Sequence, residues 1–346
     1  MQYVLVFILS LLFAVIGSYL SIVLAYKWNV LDYPGEIKIH GKPIPRMGGL
    51  GIVFGFIVGS FYGILIGQVG LSTGYAVIIS ALVVAVVGLI DDVRGLRPRQ
   101  KLIGQLLGGI IFLVLTFKIF EVGSMSIILK LLLAVCSLFF VVGMSNSINL
   151  LDGMDGMAAT LSFIIVGFLA YSLYINGNHG VMLMAVSLAA GCLGFLLYNL
   201  PPARTFMGDG GSLFLGVLIA VFAVWLLIDT GLNWYSLLGV LLILSIPIID
   251  TGFACIRRLK SFSGVFQGDR FHLYDCLDKK IGHKAWLTLI VMGVLTIISG
   301  ILGVLVMRIP TIQIVVTAVA YFVAVCFFAV WCGCLEIGRA SCRERV

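Results

Sequence analysis

"VLVFILSLLFAVIGSYLSIVLA", residues 4–25, contains no charged residue. A helix of about 20 apolar residues crosses the hydrocarbon core of a bilayer, and a segment in lipid must satisfy its own backbone hydrogen bonds. The stretch therefore predicts a transmembrane helix. Because it is longer than the apolar core of a signal peptide and follows no charged residue, we expect it to be retained as the first helix.

Similar stretches recur along the whole chain. Of its 346 residues, 61% are hydrophobic and 11% are charged, and the mean hydropathy is +1.18, whereas soluble domains carry about 25% charged residues. We predict an all-α, polytopic membrane protein with about eleven transmembrane helices, or ten if two short stretches form one span. The predicted spans lie near 3–25, 48–68, 74–90, 103–118, 126–145, 157–175, 180–198, 211–228, 233–254, 285–306 and 311–334.

No soluble domain is indicated, since the longest polar stretch, about 255–284, is too short for an independent core. We expect residues 1–335 to form a single integral membrane domain. The final stretch "EIGRASCRERV", residues 336–346, resembles the translation of a sequencing adapter. We therefore expect it to be a non-native tail.

The basic residues predict the orientation. Of the 22 Lys and Arg residues, sixteen lie in the predicted loops 27–47, 91–102, 199–210 and 255–284, and only three lie on the opposite face. Cytoplasmic loops carry such an excess, so we predict that these loops are cytoplasmic and that the N-terminus is outside. The basic residues are dispersed and lack a nucleic-acid-binding fold, so no nucleic-acid partner is expected.

Carboxylates gather at the same predicted face. Ionisable residues at membrane depth are costly and often mark a functional site, so we expect a cytoplasmic cleft where several segments meet. Adjacent acids near a divalent cation and a phosphate can act as metal ligand or as base. The acids at the predicted cytoplasmic ends of helices are Asp91, Asp92, Asp152, Asp155, Asp209 and Asp250.

The most specific cluster is "SINLLDGMDG", residues 147–156. Asn149, Asp152 and Asp155 are three residues apart, so in helical geometry neighbouring members share a face, and the glycines that follow each Asp permit a positive φ. A calcium loop is an alternative, but its D-x-D-x-D-G spacing is absent. Simple helix capping is another alternative.

Two loops add groups that suit phosphates. "PPARTFMGDGGS", residues 201–212, opens a helix whose free N–H groups favour anions, and Asp209 suggests a cation between carboxylate and phosphate. Lys42 and Arg46 lie in "GKPIPRMGG", residues 41–49, where a basic loop over an acidic cleft suits a diphosphate. The alternatives are a capping role for Asp209 or Ser212 and an ordinary cytoplasmic loop for residues 41–49.

In this order, the "DD" at 91–92 and these three motifs resemble the polyprenyl-phosphate N-acetylhexosamine-1-phosphate transferases. This is glycosyltransferase family 4, the family of phospho-N-acetylmuramoyl-pentapeptide transferase and undecaprenyl-phosphate N-acetylglucosamine-1-phosphate transferase. The resemblance extends to about residue 330. It implies transfer of a sugar 1-phosphate from a UDP-sugar to polyprenyl (undecaprenyl) phosphate, with Mg²⁺ or Mn²⁺ and release of UMP. It further implies a bacterial plasma-membrane enzyme, active at the cytoplasmic face, that starts a cell-envelope polysaccharide; a homodimer is left open.

The resemblance also implies roles for individual residues. Asp209 is the expected metal ligand, with Asp152 in the metal shell. Asp91 and Asp92 would bind or deprotonate the lipid phosphate, although an ionised phosphate needs no base. The expected catalytic residues are Asp91, Asp92, Asn149 and Asp152, and the expected substrate-binding residues are Lys42, Arg46, Asp155, Asn199, Phe206, Arg270 and His272. Asp155 and Phe206 would face the uridine.

One motif departs from the family. Many members carry H-x-H-H in the last cytoplasmic loop, whereas this chain has His272 followed by Leu273, Tyr274 and Asp275. The identity of the sugar is therefore left open, and an N-acetylated hexosamine is expected.

Two other functions are weighed against the transferase. A cation-coupled transporter would also carry intramembrane acids and broken helices, but no internal repeat is visible; the altered loop also fits an inactive scaffold of an envelope-synthesis complex.

Overall fold

The computed structural model describes residues 2–34, 41–116, 126–260 and 271–335. Thirteen helices and one two-stranded antiparallel ribbon lie within these ranges. The helices are α1 (Gln2–Trp28), α2 (Leu50–Leu65), α3 (Leu71–Arg94), α4 (Pro98–Thr116), α5 (Ile127–Leu151), α6 (Met157–Ile175), α7 (His179–Asn199), α8 (Gly208–Asp229), α9 (Trp234–Ile243), α10 (Ser245–Lys260), α11 (Leu273–Lys280), α12 (Ala285–Arg308) and α13 (Ile312–Cys332). The strands are β1 (Leu31–Asp32) and β2 (Ile44–Pro45).

The prediction of an all-α, polytopic membrane protein is confirmed. Among the described residues, nine helices are long and apolar enough to cross a membrane, namely α1, α3 to α8, α12 and α13. A tenth span is formed if α9 and α10 are taken together. The remaining predicted span, near 48–68, corresponds to α2, an apolar helix of 16 residues.

The segment predicted as one span over 233–254 is instead two helices, bent by 76° at the break between them. Pro247 lies in the first turn of α10. In a continuous helix its ring would clash with the carbonyl of Ile243 and its missing N–H would interrupt the hydrogen bonding, whereas a helix start tolerates proline. The hydrophobic pattern continues through the bend, so it predicts the apolar character and misses the break.

Helix α8 forms the centre of the bundle. Its residues from Gly210 to Leu226 are all buried, and it packs against α3, α5 and α6. A helix that is apolar on every side is buried on every side, so α8 is enclosed by its neighbours. Its N-terminal end carries Asp209, which the packing directs toward the ends of α3 and α5.

The chain segments at this end of the bundle are tied together by backbone hydrogen bonds. The N–H of Phe206 donates to the carbonyl of Pro45 at 2.8 Å, and the N–H of Gly48 donates to the carbonyl of Phe206 at 2.9 Å. Thr205 adds a hydroxyl bond to Pro45 at 2.9 Å. The loop that contains β2 therefore lies directly beside the loop that precedes α8.

Close approach of α3 and α8 requires a glycine. A Cβ on Gly88 would lie 2.6 Å from the backbone nitrogen of Gly210 and would also overlap the Asp209 carbonyl. We therefore expect Gly88→Ala to separate the two helices and to lower the thermal unfolding temperature in detergent, with an overpacking cost of about 1–3 kcal/mol.

Gly143→Ala is the matched control for this substitution. Gly143 is also helical, in α5, but a Cβ there meets no atom within 4 Å. Because alanine has the higher helix propensity, its unfolding temperature should equal or exceed that of the unmodified protein. Equal unfolding temperatures for the two variants would contradict the close α3–α8 contact.

Candidate active site

The N-terminus of α8 is held by a carboxylate from the end of α3. Asp92 accepts the N–H of Asp209 on one oxygen and the N–H of Gly210 on the other, both at 2.9 Å. The first N–H groups of a helix have no partner within the helix, and a negative charge there is favourable. Asp92 thus fixes α8 against α3 with both of its carboxylate oxygens engaged.

Asp91, the neighbouring residue, faces a lysine on α4. The Asp91 carboxylate lies 2.5 Å from the Nζ atom of Lys101 and accepts the N–H of Leu96 at 2.5 Å. The same ammonium group also contacts the carboxylate of Asp209. Two acids from different helices therefore share one positive charge, in a position where Asp91 and Asp209 are only 12% and 16% exposed.

The end of α5 completes this cluster. The amide nitrogen of Asn149 donates to Asp209 and to the hydroxyl of Ser212, both at 2.9 Å. Asp152 follows at the C-cap of α5. Burial, with the nearby negative charges of Asp209 and Asp92, raises the pKa of Asp152 well above its ordinary value. A cation at this position would reverse that effect.

The turn between α5 and α6 is fastened to the loop before α8. Asp155 accepts the N–H of Ala203 at 2.9 Å. The buried Asn199 accepts the N–H of Gly156 at 3.0 Å and donates to the carbonyl of Thr205 at 2.8 Å. Gly156 itself has φ of +73°, which a side chain would disfavour. Asn199 therefore acts on the backbone of both loops, and Phe206 lies half-buried beside them.

The predicted basic groups lie around the carboxylates at different depths. Arg46 is half exposed, lies 3.8 Å from Asp32, and its charge opposes the rise in the pKa of Asp152. Lys42 is exposed on the same loop. His272 is buried, and its Nδ1 lies 2.7 Å from Asp250. Arg270 lies outside the described residues.

Sequence reasoning missed the role of Lys101, which it treated only as one of the cytoplasmic basic residues. The signal was present, because only three residues, Gly95 to Arg97, separate α3 from α4. Such a short connection makes neighbouring helices antiparallel, so the first turn of α4 must lie beside Asp91. Gln105, one turn further along α4, was also missed; it exchanges hydrogen bonds with Asn146 of α5 at 3.0 and 3.3 Å.

The carboxylate oxygens of this site suit a hard divalent cation that arrives with a phosphate. Across the described part of the chain, no group of three or more His, Cys, Asp or Glu side chains has the arrangement of a complete metal site. However, Mg²⁺ is usually bound by one or two carboxylates and completes its shell with water and substrate phosphates. Asp91 and Asp209 converge on a single cationic group, so two carboxylates are available.

A separate cavity of about 540 Å³ lies at the opposite end of the bundle, lined in part by Asn178 and Asp229. Asn178 is at the start of α7 and Asp229 is at the end of α8, about 20 residues from Asp209 along a helix that rises about 1.5 Å per residue. The cavity is therefore remote from the carboxylate cluster, which consists of Asp91, Asp92, Asp152 and Asp209.

Comparison with known proteins gives a consistent result. Residues 75–227 match the family described as Glycosyl transferase family 4. A probable undecaprenyl-phosphate N-acetylglucosaminyl 1-phosphate transferase of Bacillus subtilis is 34% identical over 286 residues, which is 79% of this chain and 76% of that protein. The chain belongs to glycosyl transferase family 4.

Other family-4 proteins are similar at comparable levels. A decaprenyl-phosphate N-acetylglucosaminephosphotransferase of Mycobacterium leprae is 32% identical over 301 residues, covering 76% of this chain and 73% of that protein. A phospho-N-acetylmuramoyl-pentapeptide-transferase of Streptococcus pneumoniae is 34% identical over 218 residues, covering 57% of this chain and 66% of that protein. The family-4 match includes the end of α3, the turn after α5 and the start of α8, which are the segments that form the carboxylate cluster.

Asp91 and Asp92 should differ in their effect on stability. In Asp92→Asn, one of the two bonded oxygens becomes an amide NH₂ group that faces a helix N–H, so one N–H of α8 loses its acceptor at a cost of about 1–3 kcal/mol. In Asp91→Asn, Lys101 keeps its contact with Asp209. We expect Asp92→Asn to lower the unfolding temperature in detergent distinctly more than Asp91→Asn. A larger loss for Asp91→Asn would contradict the anchoring role of Asp92.

Proposed function

We propose that this chain transfers an N-acetylhexosamine 1-phosphate from a UDP-sugar to undecaprenyl phosphate or a related polyprenyl phosphate. The products are UMP and a polyprenyl diphosphate sugar, which starts a cell-envelope polysaccharide. The observation that carries this proposal is the convergence of Asp91 and Asp209 on the ammonium group of Lys101 at the start of α8, where Asn149 also donates to Asp209. Family-4 relatives named as N-acetylglucosamine phosphate transferases onto polyprenyl phosphates support it.

The proposed location is the bacterial inner membrane, with the site at its cytoplasmic face. The predicted loops that hold sixteen of the 22 basic residues are those that contribute to, or adjoin, the carboxylate cluster. At this position the hydrocarbon chain of the lipid can stay in the bilayer while its phosphate reaches a water-soluble nucleotide sugar. A homodimer stays a prediction.

We further propose Mg²⁺ or Mn²⁺ as the cofactor, held by Asp209 with Asp91 and Asp152 nearby. When bound, the cation would offset the negative charge on the transferring phosphoryl group. The shared contact of Asp91 and Asp209 with the Lys101 ammonium supports this, since it marks a point where positive charge is stabilised by two helices.

The residues of the chain lower the electrostatic barrier between two anionic substrates. An oxygen of the lipid phosphate forms a bond to the β-phosphorus of the UDP-sugar, and the bond from that phosphorus to the bridging oxygen breaks, so that UMP leaves with the electron pair. Lys101 and Arg46 supply positive charge where the phosphates meet, which is the main requirement for phosphoryl transfer.

Asp91 and Asp92 take different parts in this scheme. Both oxygens of Asp92 accept N–H groups of α8, which favours a positioning role over a role as base. Asp91 adjoins Lys101 and is the better candidate to meet the lipid phosphate. Because that phosphate is already ionised near neutral pH, attack requires no proton acceptor.

We propose that the UDP-sugar lies across the turn after α5 and the loop before α8, which Asp155 and Asn199 hold together. Asp155 and Phe206 would face the uridine, and Lys42, Arg270 and His272 would contact the donor from the surrounding loops. A cation-coupled transporter is not favoured, because the relatives carry transferase names. An inactive scaffold is not favoured either, because these relatives are named as enzymes.

The two ends of α8 provide the first test. Asp209→Ala should lower the transfer of labelled sugar phosphate to undecaprenyl phosphate by about a hundredfold or more, because it removes the central carboxylate. Asp229→Asn is the control, since Asp229 lies on the same helix but bonds to Asn178 at 2.6 Å at the far end. Near-normal transfer in Asp209→Ala would refute the assignment of the active site to the start of α8.

Metal removal provides the second test. Chelation with EDTA should abolish transfer, and Mg²⁺ or Mn²⁺ should restore it. Lys101→Met should lower the maximal rate by about tenfold or more. It should also lower the Mg²⁺ concentration for half-maximal activity, because the ammonium no longer competes for Asp91 and Asp209.

Arg99→Met is the matched control for Lys101→Met. Arg99 lies in the same first turn of α4 but is exposed, so its loss should leave both the maximal rate and the Mg²⁺ requirement unchanged. Full activity in EDTA would refute the cofactor proposal, and identical behaviour of the two variants would refute the role of Lys101.

A further inference from the structure

A buried acid–histidine pair lies beside the carboxylate cluster. Asp250 of α10 and His272, the residue before α11, are only 2% and 3% exposed. One oxygen of Asp250 lies 2.7 Å from Nδ1 of His272, and the other accepts the N–H of Leu273 at 2.6 Å. A carboxylate in a buried site needs such partners to offset its desolvation, and both oxygens here are directed at the start of α11.

The start of α11 is connected in turn to the catalytic turn after α5. The ring of Tyr274 stacks on His272, with centroids 5.7 Å apart and planes 5° from parallel. Its hydroxyl donates to the carbonyl of Leu150 at 3.0 Å, and a Cβ on Gly153 would overlap that hydroxyl. Asp250 is thereby linked, through His272 and Tyr274, to the residues on either side of Asp152.

The contact with Asp250 also determines which ring nitrogen of His272 carries a proton. A carboxylate accepts hydrogen bonds, so Nδ1 must be the protonated nitrogen. In the neutral ring, Nε2 is then an acceptor. Carboxylates that bind one nitrogen of a functional histidine commonly fix both its orientation and its tautomer. To cap the N-terminus of α11, Asp250 needs only the oxygen that accepts the N–H of Leu273. Its other oxygen binds His272, so the carboxylate does more than cap the helix.

We propose that Asp250 is a positioning residue for the donor substrate. It holds His272 in one orientation and one tautomer, and it keeps α11 against the Asp152 turn, so that His272 meets the nucleotide sugar in a fixed geometry. This inference rests on the proposed function for the identity of that substrate. The arrangement of Asp250, His272 and Tyr274 stands independently of it.

Kinetics of Asp250→Asn test the proposal. The asparagine keeps its oxygen on the N–H of Leu273 but directs an NH₂ group at His272, which reverses the tautomer without changing the volume of the side chain. The KM for the UDP-sugar should rise by about tenfold, while the KM for undecaprenyl phosphate stays within about twofold of the unmodified protein. Equal changes in both KM values, or no change in either, would overturn the proposal.

A double substitution separates positioning from a merely structural effect. If Asp250 acts through His272, Asp250→Asn combined with His272→Gln should be no worse than the more damaged single variant, whereas additive effects would overturn the proposal. Asp278→Asn is the matched control. Asp278 also contacts a histidine, with 2.9 Å between its carboxylate and Nδ1 of the exposed His283, and its loss should leave both KM values unchanged.

Nitrogen NMR of ring-labelled histidine gives a readout that requires no turnover. The chain has only four histidines, and loss of one signal in His272→Gln identifies the ring. We expect a proton on Nδ1 in the unmodified protein and a proton on Nε2 in Asp250→Asn. A neutral ring protonated at Nε2 in the unmodified protein would overturn the proposal, even if Asp250→Asn failed to fold. Absence of transfer with the expected tautomer would instead count against the proposed function.

Discussion

The structure depends on the two hydrogen bonds by which Asp92 holds the N-terminus of α8. Helix α8 is buried along almost its whole length, so its start has few positions at which unpaired N–H groups could meet water. Asp92 satisfies two of them, and Gly88, one turn earlier on α3, permits the required approach. Once α8 is fixed in this way, Asp209 has to lie between Asp91 and Asn149.

Local partners explain why so many acids are tolerated at the edge of a membrane protein. Each carboxylate has a specific compensation: Asp92 has helix N–H groups, Asp91 and Asp209 share Lys101, Asp155 has a backbone N–H, and Asp250 has His272. Asp152 is the exception, since burial and neighbouring acids raise its pKa. The carboxylates at the start of α8 therefore lack a full set of positive partners, which suits the binding of a cation together with an anionic substrate.

Much of this organisation could be predicted from the sequence. Apolar stretches gave the helices, because lipid leaves a backbone few alternatives, and the spacing of polar motifs gave the carboxylate cluster. The contact of Lys101 with Asp91 follows from the three-residue connection between α3 and α4, whereas the contact of Asp250 with His272 could not be predicted, because it depends on how α11 packs against α10. The bend before Pro247 was missed because hydropathy does not register backbone geometry. The short helix α11 was missed because its eight residues resemble a polar loop in composition.

On this proposal, the start of α8 forms a site for a cation and a diphosphate. The most direct measurement is anomalous diffraction from crystals grown with Mn²⁺ and an unreactive UDP-sugar analogue. We expect one Mn²⁺ bonded to a carboxylate oxygen of Asp209 and to the diphosphate, with Lys101 Nζ moved from Asp209 toward a phosphate oxygen. A Mn²⁺ ion bound to the diphosphate without Asp209, or a diphosphate bound away from the start of α8, would contradict it.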